Sequence, residues 1–331
     1  MNLVLLAGLI LLPGCALVGV LFARFMRHRS LGQAIRDVGP AGHAIKAGTP
    51  TMGGAVLLVL WIAAVLLLFI RHQATATASL VLTAGSLFAA IGAADDLISL
   101  RRARSLGLSP LAKLALSSAA SAILFFAFRD PLSTPMLIPF TSESITIPPA
   151  ALFFLTWFVF LSAANGMNLT DGLDGLATGI AGLILLGIVL LRPTEANLIL
   201  CVPLIAALVG FLWINAHPAG LFLGDIGSFF LGGVVAALAL ANGLAFLLPI
   251  LAGVLVFEAA SVILQVASLR ATGRRLFRMS PLHHHFERAL GTRHTHILPA
   301  FEWSEGRIVL RFWVLQGAFV LLALYAGGFG G

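Results

Sequence analysis

The chain has 331 residues, of which 60% are hydrophobic and only 10% charged, with a formal net charge of +7. Soluble domains carry about 25% charged residues, so an ordinary soluble fold is excluded and an all-α polytopic membrane protein is expected. The positive balance does not call for nucleic acid, because the bases flank apolar runs where anionic headgroups attract them.

The apolar runs predict about ten transmembrane helices, at 3–22, 53–70, 79–94, 111–128, 151–166, 175–191, 197–214, 227–241, 247–269 and 308–327. "LLPGC", ending at Cys15, weakly suggests a lipoprotein cleavage site, but bases follow this run and none precedes it, so an uncleaved first span is expected. Cys15 and Cys201 both fall within spans and read as packing residues. Arg24, Arg27, Arg29, Arg36 and Lys46 follow the first span, Arg101, Arg102 and Arg104 the third, and Arg270, Arg274, Arg275, Arg278, Arg288, Arg293 and Arg307 the ninth. The alternate connections carry Arg71, Arg129 and Arg192. This asymmetry orients both termini outward and the odd-to-even connections toward the cytoplasm. One domain over 1–331 is expected, with an enlarged cytoplasmic loop at 270–307.

Between the first two spans lies "GHAIKAGTPTMGG", 42–54. Lys46 offers a point charge, Thr49 and Thr51 offer hydroxyls, and Pro50 suits the first turn of a helix, whose free N–H groups attract phosphate. A plain capped helix start explains the same residues equally well. The third span ends in "GAADDLISL" with Asp95 and Asp96. After the fifth comes "NLTDGLDGLATG", 168–179, and with Asn165 just before it Asn168, Asp171 and Asp174 recur every three residues among glycines. A step of three falls about 60° short of a full helical turn, so the helix is expected to end or unwind here. Asp225 follows in "FLGDIGSFFLGG".

Five of the seven aspartates thus lie in three expected cytoplasmic segments. They would repel one another if they converged, and a divalent cation would relieve that. Oxygen donors without a matching cysteine set favour Mg²⁺, which keeps water and binds substrate phosphates. In "MSPLHHHFE", 279–287, Ser280 is an N-cap candidate, Pro281 a first-turn residue, and His283, His284 and His285 follow. Three adjacent histidines diverge around a helix, so phosphate or sugar contact is favoured over zinc.

These motifs, in this order, resemble the phospho-N-acetylmuramoyl-pentapeptide transferase family: "GHAIKAGTPTMGG", the Asp95–Asp96 pair, "NGMNLTDGLDGLATG", "NAHPAGLFLGDIGSFFLGG", "SPLHHHFE" and, at 307–313, "RIVLRFW". The resemblance runs from about residue 30 to the C-terminus. It implies ten helices and Mg²⁺-dependent transfer of phospho-MurNAc-pentapeptide from UDP-MurNAc-pentapeptide to undecaprenyl phosphate. The products would be lipid I and UMP, made at the cytoplasmic face of the inner membrane. It further implies Asp225 as metal ligand, Asp95 and Asp96 at the lipid phosphate, and Asn168 and Asp171 lining the cleft. Gly172, Leu173 and Asp174 would edge a uridine pocket with Phe222 stacked on uracil, near Lys46, Thr51 and Asn215. His283, His284 and His285 would stand at the rim, and Lys113 would join the substrate-binding set. A homodimer is a further expectation.

Two features depart from the family. Its DDxxK pattern has Ser99 at the lysine position, with Arg101 or Arg102 as candidate replacements for the charge. The stretch between Glu287 and "RIVLRFW" is longer than usual and reads as a surface loop. Rival readings are a transporter, disfavoured because the acids crowd one side and no duplicated halves are evident, and a sister transferase using UDP-N-acetylhexosamine.

Overall fold

A computed structural model describes residues 2–29, 48–72, 74–102, 107–287 and 295–328. In chain order the helices are α1 (Asn2–His28), α2 (Gly54–Phe69), α3 (Ala76–Arg102), α4 (Pro110–Ala127), α5 (Arg129–Leu132), α6 (Pro149–Thr170), α7 (Leu176–Leu191), α8 (Glu195–Asn215), α9 (Gly224–Ala241), α10 (Leu248–Leu251), α11 (Gly253–Thr272), α12 (Leu282–His285) and α13 (Glu305–Ala326). Eight are long and apolar enough to cross a membrane, and α2 and α7 are shorter apolar helices. Together they match the ten expected spans. Local chemistry sets several starts: Ser109 caps α4 ahead of Pro110, and Thr194 caps α8 by accepting the Asn197 N–H at 3.2 Å.

The bundle is built around α9, in which every residue from Ile226 to Leu240 is buried. A helix that is apolar on all sides belongs at the centre. It packs chiefly on α3 and α6, with α2 and α7 also against it. Gly92 permits the α3 contact, since a β-carbon there would overlap the carbonyl of Asp225. Close backbone approach of this kind is how helices associate where lipid removes the hydrophobic drive.

Three features differ from the expectations. The ninth span is broken at Ala252 (φ −109°, ψ 38°) into α10 and α11. Gln316 of α13 serves both sides of the break, its Nε2 donating to the Leu251 carbonyl at 2.6 Å and its Oε1 accepting from the Val254 N–H at 3.3 Å. Backbone groups freed inside a membrane must find such partners. Second, α3 runs on to Arg102, so Asp95, Asp96 and Ser99 are helical rather than in a connection. Third, a short hairpin pairs Met136–Leu137 with Ser144–Ile145 antiparallel in the connection before α6.

Candidate active site

Four span ends meet at one end of the bundle: the C-terminal part of α3, the first turn of α4, the end of α6 and the first turn of α9. Asp96 lies against the N-terminus of α9. Its Oδ2 accepts the Ile226 N–H at 3.0 Å and its Oδ1 the Asp225 N–H at 3.3 Å. A carboxylate here satisfies donors that the helix leaves unpaired and faces the positive end of its dipole. The side chain is buried.

Asp225, in the first turn of the same helix, has its own partners. Lys113 Nζ of α4 lies 2.5 Å from Asp225 Oδ2 and 3.2 Å from Asp95 Oδ1, so one ammonium bridges two carboxylates from α9 and α3. Asp95 Oδ1 also accepts the Leu108 N–H at 2.6 Å. Asn168 Nδ2 of α6 donates to Asp225 Oδ1 at 2.9 Å and reaches Ser228 Oγ at 3.0 Å. Asp95, Asp96, Lys113, Asn168 and Asp225 therefore form one constellation. Arg101 and Arg102, the expected replacements for the lysine that Ser99 displaces, are exposed at the end of α3. The charge reaching the acidic pair comes from α4 instead.

α6 stops where the threefold spacing suggested, with Asp171 as its C-cap, and the chain turns through Gly175 (φ +79°) into α7. Within the turn Leu173 and Asp174 are buried. Asp174 Oδ2 accepts the Ala219 N–H at 3.0 Å and lies 3.0 Å from His217 Nδ1, while the Asp174 N–H donates to Glu305 Oε1 at 2.9 Å. His217 Nδ1 is also 3.4 Å from Glu305 Oε2. Asp174, His217 and Glu305 have atoms close enough to share a metal ion. Their mutual hydrogen bonds already tie the turn to α13 and to the loop after α8, and we read them as a clamp.

Thr51 and Phe222 are brought together by backbone pairing. The Phe222 N–H donates to the Pro50 carbonyl at 2.9 Å, and the Gly53 and Gly54 N–H groups donate to the carbonyls of Phe222 and Leu223 at 2.9 and 2.8 Å. α2 accordingly begins at Gly54, beyond Pro50, and Met52 adopts φ 68° where the strand-like segment turns into the helix. Thr51 Oγ1 is buried beside Gly224 and Asp96 and has no hydrogen-bond partner among the described residues. Lys46 lies outside the described residues. Asn215 is buried, and both ends of its amide are used. Its Oδ1 accepts from Thr178 Oγ1 at 2.7 Å, and its Nδ2 donates to the Leu221 carbonyl at 3.0 Å. It holds the loop carrying Phe222 rather than facing a cleft.

The three histidines have three different environments. His283 is buried, with its Nε2 edge against Gly172, where a β-carbon would overlap the ring. His284 Nδ1 lies 2.9 Å from Glu287 Oε1. His285 has both ring nitrogens engaged by main chain: Nδ1 accepts the Arg278 N–H at 3.0 Å, and Nε2 lies 3.1 Å from the Pro299 carbonyl. Its pKa is lowered, chiefly by burial, with His296 and Arg278 adding to the effect and the Pro299 hydrogen bond opposing it. These contacts give His285 a framework part rather than the rim position expected. The lengthened connection contributes to this frame. Beyond Pro299, Trp303 stacks on Phe286 with centroids 4.5 Å apart, and Arg311 covers the Trp303 ring at 3.9 Å. α12 begins at Leu282 with Pro281 at the cap position, one residue later than Ser280 suggested.

His217, Ser228, Glu305 and Glu258 join these contacts without having been expected from the sequence. Glu258 alone carried a legible signal, a carboxylate within an apolar span.

Residues 77–243 match the family described as Glycosyl transferase family 4. The chain is 39% identical, over 92% of both sequences, to the phospho-N-acetylmuramoyl-pentapeptide-transferase of Geobacillus kaustophilus (strain HTA426). It is 39% identical to the protein of that name from Bacillus cytotoxicus over 98% of each chain. With the one from Rubrobacter xylanophilus identity is 38%, covering 92% of this chain and 91% of the other.

Proposed function

The chain belongs to the phospho-N-acetylmuramoyl-pentapeptide-transferase family, a family of enzymes, and from that premise we propose a specific reaction for it. The chain transfers phospho-MurNAc-pentapeptide from UDP-MurNAc-pentapeptide to undecaprenyl phosphate, releasing UMP and forming lipid I. The observation that carries this is Lys113 bridging Asp95 and Asp225 at the meeting point of four span ends. A site so charged at the end of an apolar bundle suits a polar phosphate donor and a lipid acceptor arriving from the bilayer. The bases flanking α1, α3 and α11 support placing this end at the cytoplasmic face of the inner membrane.

The donor set fits a hard cation. Asp95 and Asp225 converge from two helices, and the ammonium between them occupies a position that a cation would favour. Asp225 would hold Mg²⁺ with Asp95 beside it, as hard oxygen donors favour. When bound, the ion supplies neutralisation of charge on the phosphate oxygens.

An oxygen of the undecaprenyl phosphate attacks the β-phosphorus of the UDP-sugar, the new P–O bond forms, and the bond to the α-phosphate oxygen breaks to release UMP. The lipid phosphate has a second pKa of about 6 and is largely ionised at neutral pH, which favours direct attack over an aspartyl-phosphate. Asp95 is the better placed base for any remaining proton, because both oxygens of Asp96 accept N–H groups of α9. Lys113 and Asn168 orient and neutralise the groups at Asp225, the kind of positioning on which phosphoryl transfer depends. The turn at Gly172, Leu173 and Asp174, with Phe222 and Thr51, takes the nucleotide end, and Asp171 borders the cleft between the two. His284 reaches the sugar or diphosphate.

The test is release of UMP by purified protein given Mg²⁺, undecaprenyl phosphate and UDP-MurNAc-pentapeptide, with loss of release on chelation and recovery with added Mg²⁺. Release with UDP-GlcNAc in place of the pentapeptide substrate would move the assignment to the sister transferases.

A further inference from the structure

Glu258 lies in the first half of α11, and both it and His283 are fully buried. An acidic side chain inside an apolar span is costly and is retained when it has a specific task. Glu258 grips a single residue at two points. Its Oε2 accepts the main-chain N–H of His283 at 3.3 Å, and its Oε1 lies 3.2 Å from His283 Nδ1 without the alignment of a hydrogen bond. His283 Nδ1 and Nε2 and Glu258 Oε1 are all buried without a hydrogen-bond partner among the described residues. Such groups are costly to bury, so this arrangement is a poor device for stability and calls for another reason.

The position of the ring supplies one. Its Nε2 edge presses on Gly172, the bare residue between Asp171 and Asp174. Asp174 is held by Ala219, His217 and Glu305. The turn is thus gripped at Asp174 and backed at Gly172 by an imidazole whose placement depends on Glu258.

We infer that Glu258 is a positioning residue for the transferase reaction, acting through His283 to set the Gly172 turn that receives the nucleotide end of the substrate. This rests on the reading given above for that turn. A carboxylate facing Nδ1 favours the proton on Nδ1 and leaves a lone pair on Nε2 toward the turn. Glutamine can present an N–H to Nδ1 and so favours the opposite tautomer, at almost unchanged volume.

The experiment uses full-length protein in detergent and compares wild type with Glu258→Gln, Glu258→Asp and His283→Gln. Turnover is measured against each substrate separately, and UMP binding by calorimetry. Glu258→Gln is expected to raise KM for the UDP-sugar at least tenfold and weaken UMP to a similar degree, on the order of a 1.4 kcal/mol loss or more. KM for undecaprenyl phosphate should stay within about twofold, since the lipid end does not meet this turn. Glu258→Asp should recover part of the loss. The Glu258→Gln/His283→Gln double variant should be no worse than the poorer single one, because both act through one contact. Equal rises in both KM values, additive effects, or unchanged UMP affinity would overturn the inference.

If the position 258 variants do not fold, His283→Gln, which leaves Glu258 and the turn residues intact, must show the same selective loss. Should wild type bind UMP yet release none from the UDP-sugar, the proposed reaction fails, and the role of Glu258 is judged on UMP affinity alone.

Discussion

Lys113 Nζ stands 2.5 Å from Asp225 Oδ2, closing the first turn of α4 onto the first turn of α9. An ammonium in this place offsets the repulsion between Asp225 and Asp95, which would otherwise hold two carboxylates apart. Replacing it by alanine leaves both acids without that partner. Lys113→Ala is expected to lower UMP release by about 100-fold or more, the scale seen when one charge-stabilising donor is lost. Lys113→Arg should not restore it, because a planar fork cannot take the place of a point charge between two oxygens. Turnover near the wild-type rate in either variant would remove Lys113 from the site.

Asp96 holds α9 by its start. Asparagine has one acceptor oxygen where the carboxylate has two, and its NH₂ would face donors. Asp96→Asn should cost about 1–3 kcal/mol of stability and abolish most turnover, read as a lowered melting temperature in detergent together with reduced UMP release. Gly92→Ala should do the same without altering charge, since its methyl would meet the Asp225 carbonyl. A Gly92→Ala protein with an unchanged melt and full activity would contradict the close α3–α9 packing.

The break in the ninth span depends on Gln316. Gln316→Leu leaves the Leu251 carbonyl and the Val254 N–H without their partner, at about 1–3 kcal/mol for each group. The expected readout is a lower melting temperature with little change in helix content by circular dichroism. An unaltered melt would show that the break stands without Gln316.

His285 makes stability depend on pH. Its folded pKa lies below the ordinary value of 6.5, so the unfolded chain takes up the proton more readily. Stability from this residue is present above about pH 6.5 and is lost as pH falls toward the folded pKa. Melting temperature should fall from pH 7 toward pH 5, and His285→Gln, which carries no charge, should flatten that dependence. The same slope in both proteins would assign the effect to another group.

Apolar runs exposed the long helices because each must turn some twenty apolar residues toward lipid or toward other helices, a constraint that acts on local sequence alone. The end of α6 at Asp171 was legible for a similar reason: glycines and a spacing of three cannot continue one helical face. The break at Ala252 was not legible. Pro249 and Gly253 stand on either side of it, but a proline and a glycine in an apolar run do not by themselves fix a break, and Gln316, which accommodates it, comes from α13. Lys113 was visible as a base near a span, but its pairing with Asp225 needs α4 to lie across the ends of α3 and α9. The parting of the three histidines depended on neighbours distant in the chain, Glu258 for His283 and Pro299 for His285.

Composition and spacing, by themselves, determined that this chain is an all-α membrane protein, and the motifs in order pointed to its family. Those properties follow from the cost of polar groups in hydrocarbon and from residue types that sit close together in sequence. Only the tertiary structure decided which acid caps a helix and which meets a cation. Asp95 and Asp96 are neighbours in the chain, yet one faces Lys113 and the other the N-terminus of α9. Adjacent side chains on a helix point about 100° apart, and what each one meets is set by the packing of other helices.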